Sequence, residues 1–484
     1  MRRILLAGLA LLLVAGGVVL WQGGWAEEWW EQWRGDDAAP ANPAQVAPPP
    51  EVDVPAVRRP RPVAVPADAD GPLDAAAVEA AVAGHLADRD LGRNVLAAVA
   101  TLEGRGLAFT SSSSGSALAV PASTTKVVTT AVALYLLGAD HVFETTTVLE
   151  RGAGRAAPRL VLVGGGDPFL AGRPPAPSPD VSATYAPERA DVETLAQRTA
   201  RELRGQGVRR VSLGYDDSLF TGPAENPTWR ADYIPDGIVS PITALWVDEG
   251  RDPIGFGRVA DPSLAAAQRF ATALRDAGIT VVGGPAATVA EQDASRVAGV
   301  QSPPLAQIVQ RILEVSDNEA SEVLLRHIGL AEQGNGSSAG GQRSVERVLS
   351  ANGIGMDGSV LYDGSGLSRA NRMSPRLLVA VLRWAADDAH PDLRTVVSSL
   401  PVAGYTGSLT TRMDMGPPAG LGRVRAKTGT LTGVTSLAGL AVDLDGDLLA
   451  FALLADKIPR NRDGLARIAM DNAAAALGAC RCAR

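Results

Sequence analysis

The chain has 484 residues, 46% apolar and 20% charged, with a net charge of −8. That length is more than one domain needs and predicts two or three globular units. The acidic balance, with no stretch that concentrates Lys and Arg, gives no nucleic-acid footprint.

Arg2 and Arg3 lead into an uncharged apolar run from Ile4 to Trp21, long enough to span a bilayer as a helix. The arginine pair predicts a cytoplasmic N-terminus, and Trp21, Trp25, Trp29, Trp30 and Trp33 then lie at the outer interface. Gly24 and Ala26 offer a small-x-small cleavage pattern, so a cleaved signal peptide stays open beside the favoured reading of residues 1–21 as a retained signal anchor. Either way the body of the protein is exported and extracytoplasmic. Residues 22–71 carry nine prolines between Pro40 and Pro66 and are expected to form a disordered, extended linker. At ~3.1 Å per residue that proline segment spans up to about 80 Å.

The first globular segment, 72–142, opens with an expected helix from Leu73 to Asp88. Strands follow over Asn94–Leu102 and Leu107–Thr110, then a serine-rich loop and an apolar helix over Val127–Leu137. Residues 143–300 change texture. Alternating runs such as Arg159–Val163 and Val208–Gly214, joined by Pro-rich and Gly-rich loops, predict an inserted β-rich domain. From 301 to 478 helices return at Leu305–Leu313, Glu319–Ile328, Gly341–Ala351 and Pro375–Ala386. Strands at Gly422–Thr428, Thr435–Asp443 and Leu448–Ala455 come next, the last two joined by an Asp445-Gly446 turn. A final helix over Gly464–Leu477 ends this part. Cys480 and Cys482 are too near the end to staple the fold, and a bridge between them would be strained, so 479–484 are expected as a frayed tail. Four scattered histidines and no Cys-x-x-Cys give no readable metal site, and no cofactor is expected.

Three short motifs bear on chemistry. In PASTTKVVTTAVAL, Ser123 and Lys126 are three residues apart and share one helical face. A serine becomes a nucleophile when a neighbouring base takes its proton, and a lysine serves only when neutral. Taken alone, the pair reads equally well as a capping serine near an ordinary lysine. Composition raises the odds. Lys126, Lys427 and Lys457 are the only lysines against 42 arginines, and arginine cannot be deprotonated to act as a base. Lys427, with Thr428 and Gly429, stands in RVRAKTGTLTG, which suits a strand holding a substrate carboxylate or simply a surface strand ending at glycine. Ser316-Asp317-Asn318 lies between two helical patterns. It offers a hydroxyl and an amide, or only a helix–helix corner.

Together and in this order, Ser-x-x-Lys, Ser-Asp-Asn and Lys-Thr-Gly resemble the active-site set of penicillin-binding proteins and serine β-lactamases. Ser123 and Ser316 are 193 residues apart, which resembles the class C low-molecular-mass penicillin-binding proteins. These are D-alanyl-D-alanine carboxypeptidases with a domain inserted between the first two motifs. The resemblance runs from about Pro72 to Gly478 and includes LVGGGDPFL, DDSLFTG, LYDGSGLSRANRMSP and LPVAGYTGSLTTRM. It implies an α+β fold, an antiparallel sheet flanked by helices and carrying the insert.

The resemblance further implies a serine D-Ala-D-Ala carboxypeptidase, with endopeptidase action as a further possibility, that works on peptidoglycan stem peptides through an acyl-enzyme. Ser123 would attack, Lys126 would take its proton, and Ser316, Asn318 and Lys427 would complete the catalytic set. Thr428, Gly429 and Thr430 would bind substrate, with the backbone N–H groups of Ser123 and Thr430 as the oxyanion hole. Lys427 would also depress the Lys126 pKa by repulsion. Arg369 would bind a diamino-acid carboxylate, or stand as a surface arginine. β-Lactams would act as covalent inhibitors, and the N-terminal helix would tie the enzyme to the membrane.

Rival readings are weaker. GGGDP lacks the Lys-Ser/Thr of a phosphate loop, no histidine sits in a nucleophile-elbow setting, and no Glu-x-x-Leu-Asn stretch marks a β-lactamase. A tethered wall-binding scaffold with a decayed enzyme fold is opposed by the intact motifs.

Overall fold

Asn94, near the start of the globular part, pairs with Asp456, near its end, and this pairing closes the main sheet. The computed structural model describes residues 73–484, apart from 103–105, 112–116, 151–156, 175–186, 256, 416 and 483–484. The expected anchor and proline-rich linker lie outside the described residues. Among the described residues no helix is long and apolar enough to cross a membrane.

In chain order the elements are α1 (Ala75–Leu86), β1 (Asn94–Thr101), β2 (Phe109–Thr110), α2 (Thr125–Leu137), β3 (Glu144–Glu150) and β4 (Arg159–Val163). Then come α3 (Val192–Gly205), β5 (Arg210–Asp216), α4 (Pro262–Asp276), β6 (Thr280–Ala287), β7 (Ser295–Gln301), α5 (Leu305–Val315) and α6 (Asn318–Gln333). The chain ends with α7 (Ser338–Ala351), α8 (Pro375–Ala386), the short α9 (Arg394–Ser398), β8 (Val424–Leu431), β9 (Val434–Val442), β10 (Leu448–Asp456) and α10 (Asp463–Ala479).

The main sheet has the order β2-β1-β10-β9-β8 and is antiparallel throughout. Both of its faces are covered, and the alternation of side chains divides each strand between two cores. On β10, Ala450, Ala452 and Leu454 join the core shared with α2, α5, α6 and α8. Leu449, Phe451, Leu453 and Ala455 join the opposite core with α1 and α10. β8 is left at the edge, and the turn that carries Ser123 packs against it.

The second sheet, β6-β5-β4-β3-β7, is mixed: β4, β5 and β6 run parallel, while β3 is antiparallel to β4 and β7. Parallel neighbours need crossovers, and helices α3 and α4 supply them. Their apolar faces, including Leu195, Leu203, Phe270 and Leu274, fill the core of this sheet. The sequence predicts strands alone over this stretch, and the structure adds two helices. Their start signals are present in the chain: Asp191 caps the Thr194 amide and Asp261 the Leu264 amide, the latter followed by Pro262. The surrounding Pro- and Gly-rich loops obscured them.

The C-terminal tail also departs from expectation. Cys480 and Cys482 are disulfide-bonded with their Cα atoms 5.4 Å apart. Cys482 is fully buried. Its carbonyl accepts from the Asp74 amide, and its own amide donates to Asp443. The tail is held between the start of α1 and the β9–β10 turn, a long-range arrangement that no local pattern reports.

Candidate active site

The turn before α2 is pinned from several sides. Asp456 accepts from Asn94 and from the Val120 amide, which fixes the segment entering Pro121 to the sheet. Ala122 is held at φ +48°, a left-handed conformation that is strained for a residue with a side chain. The carbonyl of Pro121 accepts from the hydroxyls of Thr124 and Ser436, and that of Ala122 accepts from Thr125. Ser123 therefore sits half-buried on a rigid single turn at the head of α2.

Lys126 is completely buried one turn further on, its helix lying among α5, α6, α7 and α8. Its Nζ lies 3.0 Å from Ser123 Oγ, 2.9 Å from Asn318 Oδ1 and 2.6 Å from the Ser365 carbonyl. Asn318 Nδ2 donates to the Ile238 carbonyl at 3.0 Å, which turns the amide oxygen toward the lysine. Burial pushes Lys126 down to about 8 against the opposing pull of Asp363, Glu322, Asp317 and Glu319.

Lys427 is fully buried on β8, and its Nζ donates to the Thr428 carbonyl at 2.9 Å. Burial first, then Lys126 and Arg412, hold it well below the ordinary lysine value. Burial is the main cause of the lowering at both lysines, and the repulsion between them disfavours a charge on either.

Gly429, the next small residue of β8, lies where a side chain would come within 3.1 Å of the Ser123 amide and 2.1 Å of Ser436 Oγ. Only a residue without Cβ lets the edge strand and the Ser123 turn approach this closely. Thr428 shares a hydrogen bond with Ser408, and with exposed Thr430 it lines a cavity of about 520 Å³ that also touches Arg412, Met415 and Arg467.

Ser316 ends α5 in the left-handed region (φ +65°) and stands half-buried two residues before Asn318. Asp317 caps α6 and is half-buried near Glu249 and Glu319; loss of hydration and these two acids hold its carboxyl well above the usual range. Glu319 in turn pairs with Arg258 at 2.5 Å, both ends buried. Arg369 donates to the Thr432 carbonyl at 2.7 Å, at the turn that follows β8. It therefore lies beside the end of the Lys-Thr-Gly strand rather than on a distant surface.

Several residues of this site were not singled out from the sequence. The loop Asp363–Arg369 folds under Lys126. Asp363 is buried, and its two oxygens accept from Trp229 Nε1, Ser365 Oγ, the Gly366 and Ser368 amides and Asn371. Gly366 has φ +86°, and a Cβ there would fall 1.9 Å from the Ala122 carbonyl. Gly366→Ala is expected to destabilise the fold by about 3 kcal/mol or more, seen as a lowered urea midpoint. Trp229 and Ile238 come from the stretch that follows the second sheet's third strand in the chain, so that stretch forms one wall of the site. The glycines of DGSG signalled a tight loop, but their role depends on which helix the loop meets.

Residues 78–256 and 253–477 match the family described as D-Ala-D-Ala carboxypeptidase 3 (S13). The chain belongs to the D-Ala-D-Ala carboxypeptidase 3 (S13) family. It is 34% identical over 434 residues to a carboxypeptidase of Mycobacterium tuberculosis, covering 86% of this chain and 87% of that protein. It is 31% identical over 399 residues to the D-alanyl-D-alanine carboxypeptidase of Actinomadura sp. strain R39, covering 69% and 73%. In fold it matches the crystal structure of penicillin binding protein 4 from Haemophilus influenzae with a TM-score of 0.65 at 21% identity, over 82% of this chain and 98% of that one. As an S13 member the protein is a serine-type D-Ala-D-Ala carboxypeptidase with an α+β fold.

Proposed function

We propose that Ser123 is the nucleophile and Lys126 its general base in the cleavage of peptidoglycan stem peptides ending in D-Ala-D-Ala. One observation carries this assignment. Two of the three oxygens around Lys126 Nζ, Asn318 Oδ1 and Ser365 O, are carbonyl oxygens, which only accept hydrogen bonds. A neutral amine directs its two hydrogens to them, and its lone pair is left facing Ser123 Oγ at 3.0 Å. The Ser123 hydroxyl then donates its proton to that lone pair.

The steps balance as an acyl transfer. Ser123 Oγ attacks the carbonyl carbon of the penultimate D-Ala, and its proton passes to Lys126. The C–N bond to the terminal D-Ala breaks, and the leaving amine takes up the proton by way of Lys126 and Ser316. Water then attacks the ester, again with Lys126 as base, and releases the shortened peptide. The backbone amides of Ser123 and Thr430 stabilise the developing oxyanion. Lys427 and Thr428 hold the terminal carboxylate, Gly429 lets the substrate backbone approach, and Arg369 takes a stem-peptide carboxylate.

A β-lactam, read as a substrate mimic, acylates Ser123; one solved structure of the Haemophilus protein is a complex with such a compound. The enzyme works outside the cytoplasm, and the apolar N-terminal segment ties it to the membrane.

The test is release of D-Ala. The full chain, incubated with a stem pentapeptide, is expected to liberate one D-Ala per peptide. Absence of D-Ala release from the pentapeptide would refute the carboxypeptidase assignment.

A further inference from the structure

Glu322 lies on α6, one turn after Asn318, and is buried with 1% of its surface exposed. Nothing in the acyl-transfer sequence uses it. Its Oε1 accepts from the Gly364 amide at 3.0 Å and the Ser365 amide at 2.7 Å. Its Oε2 is buried without a hydrogen-bond partner. The contrast with neighbouring Asp363 is instructive. Both oxygens of Asp363 are saturated by donors, whereas Glu322 engages a single oxygen with one turn of backbone.

That turn presents the Ser365 carbonyl to Lys126 Nζ. The hydrogen bond to Ser365 is one of the two that aim the amine's lone pair at Ser123. A buried carboxyl gripping two consecutive amides is well suited to holding that carbonyl in register.

Resting on the Ser123–Lys126 assignment above, we infer that Glu322 is a positioning residue for the base. It clamps the Gly364–Ser365 turn so that the Ser365 carbonyl orients the Lys126 amine, and once ionised its negative charge opposes loss of the amine's proton. The groups facing Lys126 are Asp317, Glu319 and Glu322 from α6, Asp363 from the loop and Lys427 from β8. Glu322 itself faces Asp363, Lys126 and Arg326. Burial, with Asp363 beside it, pushes the Glu322 carboxyl up to about 8, into the range where Lys126 titrates.

Two variants separate the clamp from the charge. In E322Q the amide oxygen still accepts both N–H groups, while the charge is gone. In E322A the clamp is lost as well. The rate of covalent labelling of the full chain by a fluorescent penicillin is measured from pH 5 to pH 10. With E322Q the maximal rate is expected to stay near the native value. The rising limb moves to lower pH by roughly 0.5–1 unit, because the anion that helped retain the lysine proton is absent. With E322A the maximal labelling rate is expected to fall on the order of tenfold or more, with little change in the concentration for half-saturation.

A native limb position in E322Q overturns the charge role, and native labelling by E322A overturns the clamp. If E322A does not fold, E322D, one methylene too short to grip both amides, takes its place, and native labelling by E322D overturns the clamp. A native chain that takes no label at all overturns the Ser123–Lys126 assignment and this inference with it. A labelled native chain with unchanged variants overturns this inference alone.

Discussion

Incubated with a labelled penicillin, the native chain is expected to gain one covalent adduct at Ser123, whereas Ser123→Ala gains none. The physical basis is the rigid turn at the head of α2. Ala122 at positive φ and three hydroxyl hydrogen bonds to the Pro121 and Ala122 carbonyls hold Ser123 before Lys126 in advance of any ligand. Removing a nucleophile of this kind lowers turnover by roughly 10⁴–10⁶-fold in well-studied serine enzymes. Peptide cleavage by Ser123→Ala should fall on that scale. Because Ser123 is half-buried and its backbone is fixed by neighbours, the variant should keep the native unfolding midpoint. Intact-protein mass spectrometry with peptide mapping checks the adduct. A mass gain retained in Ser123→Ala would locate the nucleophile elsewhere.

The second large effect concerns Lys126 and pH. A general base works in its deprotonated form, so the rate follows the neutral fraction of Lys126. With that group at about 8, acylation should rise as pH passes upward through about 8 and level off beyond it. Below that range the rate falls about tenfold per pH unit. Lys126→Arg keeps the positive charge and much of the volume but cannot give up a proton near neutral pH. It is expected to lose about 10²–10⁴-fold in acylation rate, with no recovery at pH 9. Stopped-flow labelling across pH checks both statements. A limb near pH 6 in place of one near pH 8, or an arginine variant as fast as the native chain, would remove Lys126 as the base.

Much of this site is legible in the chain itself because its chemistry needs particular residue types at short spacing. Ser123 and Lys126 meet because residues three apart share a helical face, and the scarcity of lysine makes the one at 126 conspicuous. Asn318 follows the same logic at the start of α6. The strands of the main sheet are equally readable, since β9 and β10 are apolar runs joined at an Asp-Gly turn.

Other features were settled by contacts distant in sequence. Glu322, Asp363 and Ser365 surround Lys126 only because α6 and a loop some forty residues later meet beneath α2. The disulfide-bonded tail packs only because α1 and the β9–β10 turn offer it a place. Helices α3 and α4 carry proper caps but become evident when parallel strands require crossovers between them.

The sequence by itself determined the candidate nucleophile, its candidate base and the order of the three motifs, since each depends on the identity of one side chain at a local spacing. The tertiary structure decided the surroundings of Lys126. Its pKa and the direction of its lone pair depend on burial and on oxygens from α6 and the Asp363 loop, and only the folded chain brings those oxygens within 3 Å of Nζ.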